Sequence, residues 1–129
     1  MYIIYNVLVV CVCCLFVLPY FIYRCICEAG FTTRMRQSLG GIRDEEIESV
    51  AQRDCIWIHG ASVGEIVATS PLVKEIRKAY PDSPILVSAV TVGGYNMAKQ
   101  IIKEADAIIY FPLDLPFVSE SFVKRIQPR

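Results

Sequence analysis

The 129-residue sequence carries thirteen basic and thirteen acidic side chains, for a net charge of zero, and 54% of its residues are hydrophobic. A balanced charge excludes a global field that would draw the chain onto nucleic acid, and the length allows one domain at most beside any membrane segment. The hydrophobic excess is concentrated at one end: residues 1–23 hold no charged side chain, whereas the remainder has the composition of an ordinary soluble domain.

Residues 1–23 include thirteen Ile, Val, Leu or Phe residues. At central membrane positions these favour insertion by about 4–8 kcal/mol together. A little over 20 residues is also the length needed to span a hydrocarbon core. A cleaved signal peptide requires a basic start and small residues at the cleavage site. Here no Lys or Arg precedes Arg24, and bulky Tyr20, Phe21, Ile22 and Tyr23 stand at the far end. The stretch therefore reads as an uncleaved transmembrane anchor. Arg24, Arg34, Arg36 and Arg43 all follow it, which places the following chain in the cytoplasm by the positive-inside rule. These arginines serve either as topology signals alone or also as headgroup contacts.

Residues 24–53 form a juxtamembrane connector, broken at Gly40-Gly41, with a short charged helix or loop expected over 43–50. The six cysteines make no framework. Cys11, Cys13 and Cys14 lie in the apolar span, Cys25 and Cys27 at its edge, and Cys55 opens a strand. Zinc wants four ligands and the single histidine is distant, so no metal or other cofactor is expected and the cysteines read as reduced and structural.

From residue 54 onward the pattern alternates. A strand over 55–59 leads to a helix over 65–80, in which Pro71 forces either a kink or a restart capped by Ser70. A nearly continuous apolar strand over 85–90 has the look of a strand covered on both faces. A helix from Gly93-Gly94 to about 103 follows, then a strand over 107–111. Pro116 is well placed in the first turn of a last helix ending near 126. Three strand–helix alternations predict an α/β domain with a parallel sheet and right-handed crossovers. A doubly wound domain usually has five or six strands, so the expectation is an incomplete Rossmann-like domain over 54–129.

The run from Cys55 to Glu65 brings a carboxylate to the carboxyl end of the first strand, where open α/β sheets hold their ligands. Gly60, Ala61 and Gly64 permit a tight turn and close approach to the main chain, and the first amides of the next helix are free donors for an anion. The spacing fits neither a P-loop nor the dinucleotide fingerprint. A capping box of Ser62 with Glu65 accounts for the same residues. His59 reads as a strand-end side chain at the cleft edge, and Trp57 as core. Ser62 is a poor candidate nucleophile, since a histidine three residues earlier on a strand is badly placed to activate it. Asp114, between Pro112 and Pro116, reads as a turn cap, with substrate orientation as the alternative.

The segment His59-Gly60-Ala61-Ser62-Val63-Gly64-Glu65 resembles the Ser-Val-Gly-Glu core, and the strand before it, of the bacterial 3-deoxy-D-manno-octulosonate (Kdo) transferases. Pro71-Leu72-Val73 with Tyr80-Pro81, Thr91 with Gly94, and Pro112-Leu113-Asp114-Leu115-Pro116 match further motifs of that family in the same order. Val92-Gly93 departs from the more usual Pro-Thr, and residues 34–41 follow the family's arginine-glycine pattern only loosely.

The resemblance implies the N-terminal half of a GT-B glycosyltransferase at the bacterial inner membrane. Such an enzyme moves Kdo from CMP-Kdo to the lipid A precursor (lipid IVA) by an inverting single displacement, in lipopolysaccharide biosynthesis. It implies Glu65 as the catalytic base; Gly60, Ser62 and Gly64 are better suited to acceptor or phosphate contacts through backbone amides than to chemistry. The donor site of the family sits mostly on a C-terminal half, so the chain by itself is expected to be incomplete and inactive. A membrane-tethered, non-catalytic lipid-binding or scaffold module is the rival reading.

Overall fold

The computed structural model describes residues 2–28 and 30–128; Met1 of the expected anchor, Ala29 of the connector and the terminal Arg129 lie outside them. The chain divides into two compact units, residues 1–32 and 33–129.

In the first unit, helix α1 (Tyr2–Val12) passes through a π-helical turn (Cys13–Val17) into α2 (Leu18–Cys27). The wide turn lies just before Pro19, which has no N–H to bond the Leu15 carbonyl and whose ring crowds it. Ile4–Cys27, 24 residues with a mean hydropathy reaching 2.3, is long and apolar enough to cross a membrane. At its end Arg24 pairs with Glu28. The Arg24 guanidinium also lies 5.4 Å from the Phe31 ring centre, and Phe31 meets Phe21 edge-to-face at 5.5 Å.

The second unit opens with the later turns of α3 (Phe31–Ser38). Gly40, at φ +90°, ends this helix in a Schellman motif: Gly40 N–H bonds the Gln37 carbonyl at 3.0 Å and Gly41 N–H the Arg36 carbonyl at 2.8 Å. Only glycine adopts this φ without strain. The short α4 (Asp44–Ile47) then follows within the stretch expected to be a charged helix or loop. Arg36 donates to Glu46 and to the Gly41 carbonyl. Arg24 and Arg36, which follow the apolar stretch, are thus engaged within the protein.

The α/β part consists of β1 (Ile56–Gly60), α5 (Val63–Ala79), β2 (Ile85–Ala89), α6 (Val92–Ile101), β3 (Ala107–Tyr110) and α7 (Pro116–Ile126). The strands form one parallel sheet in the order β1-β2-β3, with Ile56 opposite Ile85 and Leu86 opposite Ala107. Central β2 is buried at every position, as its unbroken apolar run requires. Alternate residues feed two cores. On one face Ile66 and Val73 of α5 and Ala98 of α6 pack on Ile85, Val87 and Ala89. On the other, Ile42, Ile47 and Val50 of the connector join Phe122 and Ile126 of α7 on Leu86 and Ile109. Each such fully buried aliphatic side chain contributes roughly 1.5–3 kcal/mol.

Two expectations are corrected. Helix α5 runs unbroken through Pro71, so no restart is capped by Ser70; Val67, whose carbonyl loses its helical donor, is exposed to solvent. Asp114 is exposed and makes no capping bond: Leu115 is the N-cap of α7 and makes no side-chain cap bond, and the turn closes through Leu115 N–H to the Leu113 carbonyl at 2.7 Å.

The connector is more firmly built than its polar sequence indicates. The buried Gln37 side chain accepts the Tyr110 N–H at 2.7 Å, Ser38 Oγ donates to the Phe111 carbonyl at 3.1 Å, and the Ser38 carbonyl accepts from Leu113 N–H at 2.8 Å. Three bonds therefore tie the end of α3 to the carboxyl end of β3.

Candidate active site

The turn between β1 and α5 places Glu65 at the carboxyl mouth of the sheet. Ser62 is the N-cap, in an extended conformation (φ −124°, ψ 170°). Its Oγ accepts the Glu65 N–H at 3.4 Å and donates its hydrogen to Glu65 Oε1 at 3.0 Å, while Oε2 accepts the Ala61 N–H at 3.0 Å. The capping box is therefore formed, with Ala61 rather than the cap residue supplying the amide. Capping and presentation of a carboxylate at the mouth are one arrangement.

These bonds set the charge of the site. The Ala61 amide first, then the Ser62 hydroxyl, hold the Glu65 carboxyl below its ordinary value of 4.5, against a smaller opposing effect of burial. Hydrogen bonds that favour the charged form outweigh desolvation because the carboxylate is solvent-exposed. Glu65 is thus ionised at neutral pH and able to accept a proton.

Gly60 and Gly64 do different work. A Cβ on Gly60 would lie 2.8 Å from Ile66 Cδ1 and 3.3 Å from its Cγ1, so the missing side chain lets the first turn of α5 close onto the end of β1. Gly60→Ala is expected to destabilise the second unit by about 1–3 kcal/mol through overpacking of the buried Ile66. Thermal unfolding checks this, and an unchanged midpoint would show that Ile66 has room to turn away. A Cβ on Gly64, by contrast, meets no atom within 4 Å. The main chain of the first helical turn is open to approach there, and its amides have no partners within the helix.

The second strand–helix turn lies against the first. Thr91 caps α6, its Oγ accepting the Gly94 N–H at 3.0 Å. A Cβ on Gly93 would stand 3.2 Å from Val63 Cγ2, and one on Gly94 3.5 Å from the Ser62 carbonyl carbon. The glycine pair thus allows two helix N-termini to sit side by side at the mouth. The threonine three residues before a glycine signals the cap, but nothing local in the sequence shows that Gly93-Gly94 faces Ser62-Val63.

Beside this turn, His59 Nδ1 lies 2.9 Å from Ser88 Oγ, which also receives the Trp57 indole N–H at 2.8 Å. Phe111 packs on His59 with ring centres 4.3 Å apart and on Trp57 at 5.8 Å. Trp57 is a half-buried core side chain, as its place in the first strand leads one to expect. The one local signal of this link in the sequence is Ser88 itself, a lone hydroxyl within an apolar strand, which must find partners. Cys55 is buried, and that burial pushes its thiol up, away from reactivity.

The family model described as 3-deoxy-D-manno-octulosonic-acid transferase (kdotransferase) matches residues 33–129, which include every residue of this mouth. The chain belongs to the Kdo transferase family. Among similar proteins, the 3-deoxy-D-manno-octulosonic acid transferase of Haemophilus influenzae is 38% identical over 74 residues, 57% of this chain and 17% of that protein. The Rickettsia felis transferase is 32% identical over 101 residues, covering 78% of this chain and 22% of its own length. That of Chlamydophila psittaci is 30% identical over 115 residues, covering 86% and 25%. The chain therefore spans a quarter or less of these Kdo transferases. No solved structure matches it.

Proposed function

We propose that this chain is the N-terminal, acceptor-side portion of an inverting GT-B glycosyltransferase. It would transfer Kdo from CMP-Kdo to a hydroxyl of the lipid A precursor, in lipopolysaccharide biosynthesis. Residues 1–23 anchor it in the bacterial inner membrane, 24–53 connect the anchor to the domain on the cytoplasmic side, and 54–129 form part of the first Rossmann-like domain. The observation that carries the reading is the exposed, ionised Glu65 held by Ala61 and Ser62 at the mouth of a parallel sheet, in a chain of the Kdo transferase family.

The chemistry needs one proton acceptor at this place. As the acceptor hydroxyl attacks the anomeric carbon its proton must leave, and Glu65 takes it. Nucleophile and leaving group stay on opposite faces, so one displacement inverts the centre. Gly60 brings the helix onto the strand, Ser62 orients the base, and the open main chain at Gly64 receives the acceptor. The donor binds mostly to the second half of the enzyme.

Glu65→Gln in a full-length transferase carrying this segment tests the reading: turnover should be lost while lipid IVA still binds. Gly64→Ala tests the acceptor contact separately. Because no atom of the protein opposes the new methyl, stability should hold or rise by as much as ~1 kcal/mol. Turnover should nevertheless fall about 10–100-fold as the acceptor is pushed out of line. Unchanged turnover in Gly64→Ala would remove Gly64 from the acceptor site.

A further inference from the structure

His59 has a role that its position on an edge strand does not disclose. Trp57 and His59 are two residues apart on β1 and so share a face of the sheet. Ser88 is the register partner of His59 on β2 and is fully buried. The indole N–H of Trp57 can only donate, so it occupies the Ser88 oxygen as an acceptor. Ser88 then has one hydrogen to place. Among the described residues its only remaining partner is His59 Nδ1, at 2.9 Å. A buried hydroxyl left without an acceptor is costly, so that hydrogen goes to Nδ1. The neutral imidazole then bears its own proton on Nε2.

The ring is held as well as polarised. Phe111 lies against it at 4.3 Å, and Trp57 is itself wedged between Phe111 and Phe122, the latter at 5.1 Å. The far side of His59 is exposed, and among the described residues nothing takes its Nε2–H. Two residues further on, the Ala61 amide holds Glu65.

We propose that Trp57 and Ser88 lock His59 in the Nε2–H tautomer, so that it presents a fixed, neutral hydrogen-bond donor beside Glu65 to an oxygen of the bound acceptor. The inference rests on the acceptor-side reading of this mouth. Glu65 removes the proton from the acceptor, and His59 orients the acceptor without exchanging a proton. A donor already aimed by its neighbours needs no rearrangement when the ligand arrives. Ser88 and Trp57 are positioning residues that act through His59.

His59 is the only histidine in the sequence, so one imidazole can be read directly by nitrogen NMR of the 129-residue chain in detergent micelles after 15N-histidine labelling. The neutral ring should show its proton on Nε2 and a hydrogen-bonded Nδ1, and Ser88→Ala should shift the Nδ1 resonance towards that of a free ring. Trp57→Phe, which keeps the ring packing, should shift it in the same direction and serves if Ser88→Ala unfolds. A proton on Nδ1, or an Nδ1 resonance indifferent to both variants, overturns the lock.

The donor role is read in the full-length transferase with lipid IVA as acceptor. His59→Gln places an amide N–H near the position of Nε2 and should keep the acceptor KM within about twofold. The shorter His59→Asn should raise it about five- to tenfold with kcat little changed, the loss of one hydrogen bond. Equal effects of Gln and Asn, or none from either, overturn the donor role. Glu65→Gln decides the acceptor-side reading independently, so failure of one is not mistaken for failure of the other.

Discussion

Replacing Glu65 by Gln in a full-length transferase carrying this segment is expected to lower turnover about 10²–10⁴-fold, the usual contribution of a positioned general base. The substitution is informative because it separates the two things Glu65 does. The Gln carbonyl oxygen still accepts the Ala61 N–H, and the Ser62 cap on the residue 65 amide is untouched, so the helix start survives. What disappears is the ability to hold a proton. Glu65→Ala removes the carboxylate's bonds to Ala61 and Ser62 as well and should lose both turnover and some thermal stability. If the Ala variant loses stability, the Gln variant does not, and neither loses turnover, Glu65 is a capping residue and nothing more.

The same bonds fix the sign of the pH response. The Glu65 carboxyl is held below its ordinary value of 4.5 by the Ala61 amide and the Ser62 hydroxyl. Its ionised form, and the stability its bonds add, are fully present above that value and fade only as pH falls through the lowered one. An acid limb of the rate profile near pH 6 therefore belongs to another group, and should persist unchanged in position if Glu65 is replaced by Asp.

The second unit was legible in the sequence where local chemistry decides the outcome. Gly60, Pro81 and Pro116 punctuate the chain, and the apolar runs between them are short enough for strands and periodic enough for helices. Glu65 was visible for the same reason: a cap residue followed three places later by a carboxylate is a local pattern. What local pattern does not show is contact across the chain. Residues 31–38 are too polar to announce a docked helix, yet Gln37 and Ser38 bond Tyr110 and Phe111, 73 residues away. The link between Trp57, Ser88 and His59 likewise needs two strands in register. Of the two readings of Pro71, a kink or a restart, the restart fails because a proline can be borne within a helix when the carbonyl it orphans belongs to an exposed residue, here Val67.

Arg77→Met is expected to be the most destabilising single change outside the apolar cores, for a reason of the same long-range kind. From α5 its guanidinium donates to the carbonyls of Pro81 at 3.0 Å, Ser83 at 2.9 Å and Glu104 at 2.7 Å, and to Asp106 Oδ2 at 2.5 Å. Asp106 Oδ2 in turn accepts the Ile85 N–H at 2.7 Å, so one side chain ties the end of a helix to the starts of β2 and β3. Met keeps the aliphatic stem and removes every donor. Because the pair is partly solvent-exposed the loss is discounted to about 2–3 kcal/mol, a fall in Tm of roughly 10–20 °C for a unit of this size. The next residue supplies the control: Lys78 pairs with Glu75 in the open, and Lys78→Met should leave the unfolding midpoint almost unchanged. Equal small effects at the two positions would show that the Arg77 bonds do not hold in solution. The knot lies at the amino end of the strands, away from Glu65, so the folded fraction of an Arg77→Met transferase should keep its turnover while losing thermal stability.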